Sequence, residues 1–385
     1  MPVHDAAIFI FWISGALLFQ TFLGYGLLMS ALARWRSEAP SAPVTDVSPP
    51  AVDIVLVACN EEKAIEERLR NLLAAQYPPE KLRILLISDG STDATVERAR
   101  GLQETRVEIV ERPQRAGKAA GLNLALAHCT AGIVVFTDAR QSFAPDALAL
   151  LTAHFADPAI GAVSGALEIA PAVSATGAGV DAYWRYEKSL RAAESRFDSC
   201  IGCTGAIYAL RRSLFLPIAE DTLLDDVVIP MQAALQGARV IHDSEAHAFD
   251  PQSLEPEVEL RRKQRTLAGG FQMLFRHPAW LLPWRNRLWW QLVSHKYLRL
   301  LAPVLLATAL AANVALVAQP FYAGCLAVQV GFYLVAAFGW VPALRRWKLA
   351  KLPAGFVFLN LQVVRGLGYY LTGAGRGGWR QGEAE

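Results

Sequence analysis

Acids and amides gather at the ends of short apolar runs. Asn60 and Glu61 come just after VDIVLVA (52–58), Asp89-Gly90-Ser91-Thr92-Asp93 follows LRILLIS (82–88), and Asp138 follows IVVFT (133–137). Each has a plain structural use, since Asp-Gly suits a turn and Ser, Thr or Asp before a helix caps it. Turns need no acid at three separate places, however, so these carboxylates mark a candidate ligand site. Gly117-Lys118 invites a phosphate-loop reading and fails it: Arg112 stands at the first glycine position, and Ala119 where Ser or Thr would hold magnesium. No G-x-G-x-x-G follows the first run, which argues against a dehydrogenase-type dinucleotide fold. Cys200-x-x-Cys203 has no second pair nearby and reads as two small buried residues. His242 and His247 flank a strand-like stretch and read as structural, with metal binding as the lesser option.

The runs themselves must position those acids. With Val107–Val110 they are apolar on both faces, and helical stretches at Glu61–Ala75, Asp93–Gln103 and Gly117–His128 separate them. That alternation predicts an α/β domain over 51–275 with a mostly parallel sheet covered on both sides. Ligands of such sheets bind at the carboxyl ends of the strands, where the acids lie. A Pro-rich linker, 37–50, leads into the domain.

Composition says what surrounds it. The 385 residues are 53% hydrophobic and 19% charged, with a mean hydropathy of +0.26. That is too apolar for an ordinary soluble protein or a disordered one. Basic and acidic residues, 37 against 35, leave too little positive excess for a nucleic-acid binder. Five cysteines exclude a disulfide scaffold. Residues 7–33 carry no charge and are followed by Arg34 and Arg36, which predicts a retained anchor (1–36) with its N-terminus outside. Leu300–Leu344 is uncharged, long enough for two spans, and basic at both flanks, with a hairpin at Gln319-Pro320. Leu352–Thr372, interrupted by Arg365, is read as a further span, giving two or three in 300–375 before a tail at 376–385. Trp280, Trp284, Trp289 and Trp290 beside Arg285 and Arg287 predict an interfacial amphipathic helix in 276–299.

Three later motifs complete the set: Gly202-Cys203-Thr204-Gly205, DTLLDD (221–226) and RRKQRTLAG (261–269). In this order, from about Pro50 to about Arg299, the chain resembles the membrane-embedded family 2 glycosyltransferases, which include bacterial synthases of cellulose, hyaluronan and poly-N-acetylglucosamine. The resemblance implies a GT-A, Rossmann-like fold facing the cytoplasm at the bacterial inner membrane, and a nucleotide-sugar donor, most often a UDP-sugar. By motif, Asn60 and Glu61 would line the nucleotide pocket, Asp89 would read uracil and ribose, and Lys118 would lie near base and phosphates. Asp138 matches the first acid of the DXD motif and would hold Mg²⁺ or Mn²⁺, with His247 a speculative helper. Asp226 matches the catalytic base. Thr204, Asp225, Arg262 and Arg265 would serve the pyrophosphate and acceptor end.

The chemistry calls for these types: cations meet the charge developing on the leaving pyrophosphate, and a carboxylate activates the acceptor hydroxyl. Two departures stand out. Arg140 replaces the second DXD acid, and Thr266 replaces the tryptophan that follows the second arginine of the family motif. The first reading is an inverting transferase building a polysaccharide at the inner membrane face. Transfer to a lipid acceptor is the runner-up, and a non-catalytic receptor or a transporter are rivals from other classes. Membrane lipids are expected partners; nucleic acid is not.

Overall fold

The computed structural model describes residues 2–36, 48–169, 177–250, 256–340 and 348–373. The expected tail and most of the expected linker lie outside them. Helix α1 (Pro2–Phe19) runs through a π-turn at Gln20–Gly24 into α2 (Tyr25–Trp35). Strands β1 (Val52–Ala58), β2 (Leu82–Asp89), β3 (Val107–Arg112) and β4 (Ile133–Thr137) form at the apolar runs, with α3 (Ile65–Leu73), α4 (Thr95–Gly101) and α5 (Lys118–His128) between them. These strands are parallel, in the order β3-β2-β1-β4.

Alternate strand residues feed two cores. Ile54, Leu56, Ile84, Leu86 and Val135 pack with Ile65, Leu69 and Leu72 of α3 on one face. Val55, Leu85, Ile87, Val134 and Phe136 pack with Leu122 and Ala125 of α5 on the other. Each fully buried aliphatic side chain contributes roughly 1.5–3 kcal/mol, and a one-residue slip would swap every one of them to the wrong face. One acid lies at the opposite, N-terminal edge: buried Asp53 of β1 pairs with Arg83 at 2.8 Å and accepts the Thr130 and Ala131 N–H groups at 2.6 and 2.8 Å. Burial raises its pKa, but the Arg83 and amide hydrogen bonds outweigh that and hold it below the usual range. Asp53 is structural.

Strands β5 (Ser142–Phe143), β6 (Ile160–Ile169), β7 (Ile207–Arg211) and β8 (Arg239–Asp250) extend the sheet to eight, ordered β3-β2-β1-β4-β7-β6-β8-β5. β7 is antiparallel to β4 and β6, while β6 and β8 are parallel. The sheet is thus mixed but mostly parallel, a GT-A-like Rossmann arrangement. His242 and His247 lie inside β8 rather than beside it. Helices α6 (Ala147–Ala153), α7 (Gly177–Phe197), α8 (Asp225–Leu235) and α9 (Pro256–Arg276) complete the domain.

The helix expected from Glu61 starts at Ile65. The Glu61 and Glu62 amides are drawn instead to Thr95 Oγ1 and Asp93 Oδ2, at 2.8 and 3.1 Å. The single amphipathic helix expected within 276–299 is also absent. A 3₁₀ turn at Pro278–Leu281 is followed by an irregular stretch, α10 (Trp289–Leu292) and a π-turn at Val293–Tyr297. Trp280, Leu288, Leu292 and Tyr297 enter the same core as α5 and β4. Arg287 donates to Asp198 Oδ1 at 2.7 Å and to the Ala234 carbonyl at 3.0 Å. Trp280 is thus buried and Trp289 and Trp290 half-buried, while Trp284, Arg285 and Arg287 are exposed.

Helices α11 (Leu298–Ala315), α12 (Pro320–Trp340) and α13 (Lys348–Leu371) follow, with α12 beginning at the expected hairpin proline. Among the described residues three helices are long and apolar enough to cross a membrane: His4–Trp35, Trp289–Ala315 and Pro320–Trp340. The third C-terminal span expected at Leu352–Thr372 corresponds to α13, which is not among them. It packs along α9 and α12, where a Cβ on Gly366 would come within 2.6 Å of Leu267, and one on Gly339 within 2.7 Å of Ala354.

Candidate active site

The carboxyl ends of β1 and β2 are stitched together. Asn60 takes a left-handed conformation (φ 57°), which Asn tolerates better than most residues, and its Oδ1 accepts the Thr92 N–H at 2.8 Å. Gly90 has φ 70°, and a Cβ there would lie 2.4 Å from the Arg115 nitrogen, so only glycine lets the 114–117 loop close over the turn. Asp89 fastens that loop, its two oxygens accepting the Ala116 and Gly117 N–H groups at 3.0 and 2.7 Å. With 2% of its surface exposed, Asp89 is spent on shaping the loop that delivers Lys118.

Lys118 opens α5 and reaches two acids: Nζ lies 2.8 Å from Asp138 Oδ1 and 3.3 Å from Asp225 Oδ2. Burial opposes its charge, yet Asp138 and Asp225 more than compensate and raise its pKa. Asp138 is in turn set by Arg68, whose Nε donates to the Asp138 carbonyl at 3.2 Å and whose Nη2 donates to Thr137 at 2.5 Å. The Arg68 guanidinium stacks 4.4 Å from the Phe143 ring centre, and burial pulls its pKa down to about 9. Arg140 turns to Glu61, with Nε 3.4 Å from Oε1. His247 stands 3.8 Å from Glu168. Among the described residues no group of three or more His, Cys, Asp or Glu side chains could hold a metal ion, so His247 is not gathered with Asp138 into such a site. His242 is buried, which lowers its pKa to about 4, and reads as structural.

Asp226 sits in a collar made by the 202–205 loop. Its carbonyl accepts the Cys203 N–H at 2.7 Å. A Cβ on Gly205 would stand 3.2 Å from Asp226 Oδ2, so glycine leaves the space the carboxylate occupies. Thr204 is held by its amide to Ser164 Oγ at 2.9 Å and by Arg191 Nη1, which donates to its hydroxyl at 3.1 Å. Burial first, then the charge of Asp225, raise the Asp226 pKa to about 6, against the opposing pull of Lys118, Arg191 and Lys296. Asp225 is the partner of Lys118, and Asp226 the acid left poised for a proton. Cys200 and Cys203 are free, buried thiols; burial pushes Cys200 up to about 12. They are core residues.

Helix α9 carries Arg262 and Arg265. Further along, a Cβ on Gly269 would meet Leu224 at 2.6 Å. Gln272 accepts the Leu223 N–H at 3.0 Å and donates to the Asp221 carbonyl at 2.8 Å, and Arg276 forks onto Asp221 at 2.8 and 2.7 Å. Positions 262, 265, 269, 272 and 276 follow helical spacing along one face, so both arginines lie on the side that docks against the 221–226 segment. Thr266 Oγ1 donates back to the Arg262 carbonyl at 3.0 Å.

The sheet end thus joins Asp138, Lys118, Asp225 and Asp226, walled by Thr204-Gly205 and approached by α9. Arg68, Arg191 and Tyr208 are additions that motif reading missed. Tyr208 stacks on Phe136 at 4.5 Å, and its buried hydroxyl has no hydrogen-bond partner among the described residues. A cluster of acids and cations at the carboxyl ends of a GT-A-like sheet is an arrangement suited to a glycosyltransferase. Residues 53–216 match the model of glycosyl transferase family 2, and the chain carries a domain of that family. An N-acetylglucosaminyltransferase of Rhizobium leguminosarum bv. viciae is 28% identical over 193 residues, 48% of this chain and 45% of that protein. The poly-beta-1,6-N-acetyl-D-glucosamine synthase of Staphylococcus aureus is 25% identical over 289 residues, 69% of this chain and 64% of the synthase. The chain therefore spans between about half and two thirds of these relatives' lengths. The structure of the mannosyltransferase PcManGT from Pyrobaculum calidifontis, in complex with GDP-Man and Mn²⁺, is similar over 94% of this chain and 99% of its own, with 27% identity and a TM-score of 0.68.

Proposed function

We propose that this protein is an inverting glycosyltransferase that moves N-acetylglucosamine from its UDP donor to a growing polysaccharide at the cytoplasmic face of the membrane. The observation that carries the reading is Asp226: a partly buried acid with a raised pKa, backed by a glycine and adjacent to the Lys118–Asp138–Asp225 cluster. The acceptor hydroxyl gives its proton to Asp226 as its oxygen bonds to the anomeric carbon. The bond from that carbon to the phosphate oxygen breaks, and its electron pair leaves with the nucleoside diphosphate. One displacement from the opposite face inverts the centre. Lys118, with Arg262 and Arg265 on α9, stabilises the charge developing on the pyrophosphate.

Asp138 suits a divalent cation in the mode typical of magnesium sites, one carboxylate completed by substrate phosphates. It is about one-third exposed and shares one oxygen with Lys118. When bound, Mg²⁺ or Mn²⁺ would supply further positive charge at the leaving group. Arg140, paired with Glu61, puts a fixed cation where the second acid of the motif would be. The names of the rhizobial and staphylococcal relatives support N-acetylglucosamine and a glycan acceptor, and the GDP-Man complex makes GDP-mannose the donor to test beside it. The basic residues Arg34, Arg36, Arg345 and Arg346 beside apolar segments support a cytoplasmic domain.

Thr266 favours a second reading, transfer to a lipid acceptor, because it removes an aromatic platform from the acceptor end. Membranes containing the protein, incubated with UDP-N-acetylglucosamine, UDP-glucose or GDP-mannose with and without EDTA, test both readings. UDP-N-acetylglucosamine should be consumed, EDTA should abolish turnover, and product should appear as polymer. A solvent-extractable product would favour the lipid acceptor. Consumption of no nucleotide sugar would overturn the enzyme reading.

A further inference from the structure

Helix α7 presents Glu187, Arg191 and Glu194 at helical spacing, so all three share one face. That face meets the helices that enter the apolar layer. Tyr25 of α2 donates its hydroxyl to Glu194 Oε1 at 2.5 Å. His295 meets the same oxygen through Nδ1 at 2.8 Å and Glu187 Oε2 through Nε2 at 3.0 Å. Arg299 of α11 pairs with Glu187. Glu194 and His295 have no exposed surface, and Tyr25 has none either.

Buried charges of this kind are a poor way to gain stability, because two apolar residues of the same volume would often serve as well. Their position suggests another use. The second oxygen of Glu194 accepts the Ile201 N–H at 3.4 Å, at the very start of the loop that encloses Asp226. Arg191, one turn earlier, holds the other end of that loop through the Thr204 hydroxyl at 3.1 Å. Between these two grips lie the Cys203 amide, 2.7 Å from the Asp226 carbonyl, and Gly205 against the Asp226 carboxylate.

We propose that Glu194 is a positioning residue for the catalytic base, through which the two apolar helices carrying Tyr25 and His295 set the loop that encloses Asp226. One carboxylate binds both helices with one oxygen and the loop with the other, so the helices are part of the active-site scaffold as well as an anchor. The proposal rests on Asp226 being the base.

The test uses the full chain in detergent, with UDP as the binding probe and UDP-N-acetylglucosamine turnover as the rate. Glu194→Gln keeps the shape and removes the charge. Its kcat per UDP-binding site should fall about ten- to a hundredfold while UDP affinity and stoichiometry stay within about twofold. In an Asp226→Asn background the same substitution should slow the residual rate no further, because a residue acting through the base has nothing left to act on. Wild-type kcat in Glu194→Gln alongside a crippled Asp226→Asn would overturn the proposal and leave the base standing. An equal slowing in both backgrounds would overturn it too, as general structural damage. Wild-type kcat in Asp226→Asn would remove the base and the proposal together. Should Glu194→Gln bind no UDP, Tyr25→Phe carries the same test by deleting one hydroxyl. It should lower kcat at least about threefold with UDP binding kept, and an unchanged kcat would overturn the proposal.

Discussion

Lys118 and Asp138 meet at 2.8 Å across the carboxyl edge of the sheet, and the same ammonium stands 3.3 Å from Asp225. One cation therefore ties the strand end that bears Asp138 to the helix that bears Asp225 and the proposed base Asp226. Removing it would leave two acids facing a pyrophosphate without compensation.

Lys118→Ala should lower kcat/KM for the nucleotide sugar about a hundred- to a thousandfold, the usual consequence of losing a cation at a developing oxyanion. Lys118→Arg should recover only part of this, since the planar fork cannot reproduce a point charge shared by two carboxylates. UDP release measured across donor concentrations reads both. An alanine variant within about threefold of wild type would remove Lys118 from the chemistry.

Asp226 ties rate and stability to pH in opposite senses. It works as a base only when ionised, so kcat/KM should fall about tenfold per pH unit below the free protein's pKa of about 6. For stability the native pKa lies above the unfolded one, so between the two values the native state binds more protons. Stability from this group is complete below the ordinary carboxylate range and is lost as pH rises through about 6. Asp226→Asn should thus cost at least about a hundredfold in kcat. It should also melt higher relative to wild type at about pH 7.5 than at about pH 5. A melting difference that ignores pH would show that Asp226 is not the titrating group.

Arg68 is the residue behind Asp138. Losing it would take one charge-assisted hydrogen bond from each of the Asp138 carbonyl, the Asn71 side chain and the Thr137 hydroxyl, although Asn71 keeps the Phe143 N–H and Thr137 the Ala206 carbonyl, and bonds to a charged group contribute about 1.5–3 kcal/mol each. Relaxation will recover part of that sum. Arg68→Leu should therefore lower stability by about 2–4 kcal/mol in denaturant titration and reduce kcat in the fraction that stays folded. Unchanged stability would mean that Asp138 is set by its strand alone.

What the sequence made legible follows range. Strands β1, β2 and β4 were plain because Ile54, Leu85 and their neighbours are buried on both faces, which writes continuous apolar runs. Asp138, Asp225 and Asp226 were plain because ligand acids cluster where strands end or helices begin. Arg68 was visible but unread: it occupies an apolar-stripe position between Ile65 and Leu72, where a charge needs a reason. The hold of Asp89 on the 114–117 loop was not legible because it runs through the backbone amides of Ala116 and Gly117, which carry no side-chain signature. That 276–299 is broken into short turns rather than one helix was not legible, because an aromatic and basic composition suits a protein core edge as well as a lipid surface. Tyr25 and Glu194 lie 169 residues apart, and nothing local in either neighbourhood announces the other.

Gly205 gives the sharpest geometric test. A Cβ there would stand 3.2 Å from Asp226 Oδ2 and 3.4 Å from its Cβ, closer than comfortable contact but short of a clash that unfolds the loop. The neighbour that must yield is the carboxylate itself, because the Cys203 amide fixes the Asp226 backbone at 2.7 Å. Gly205→Ala should therefore rotate or displace the base by a few tenths of an ångström while the donor cluster around Lys118 and Asp138 stays in place. The expected result is a drop of about ten- to a hundredfold in kcat, with the donor KM and the melting temperature nearly unchanged. Gly202→Ala is the contrasting variant: its positive φ of 81° and a Cβ 2.9 Å from Val227 make it a backbone fault that should lower stability first. Should Gly205→Ala retain wild-type kcat, the reaction would not depend on the place the Asp226 carboxylate occupies here.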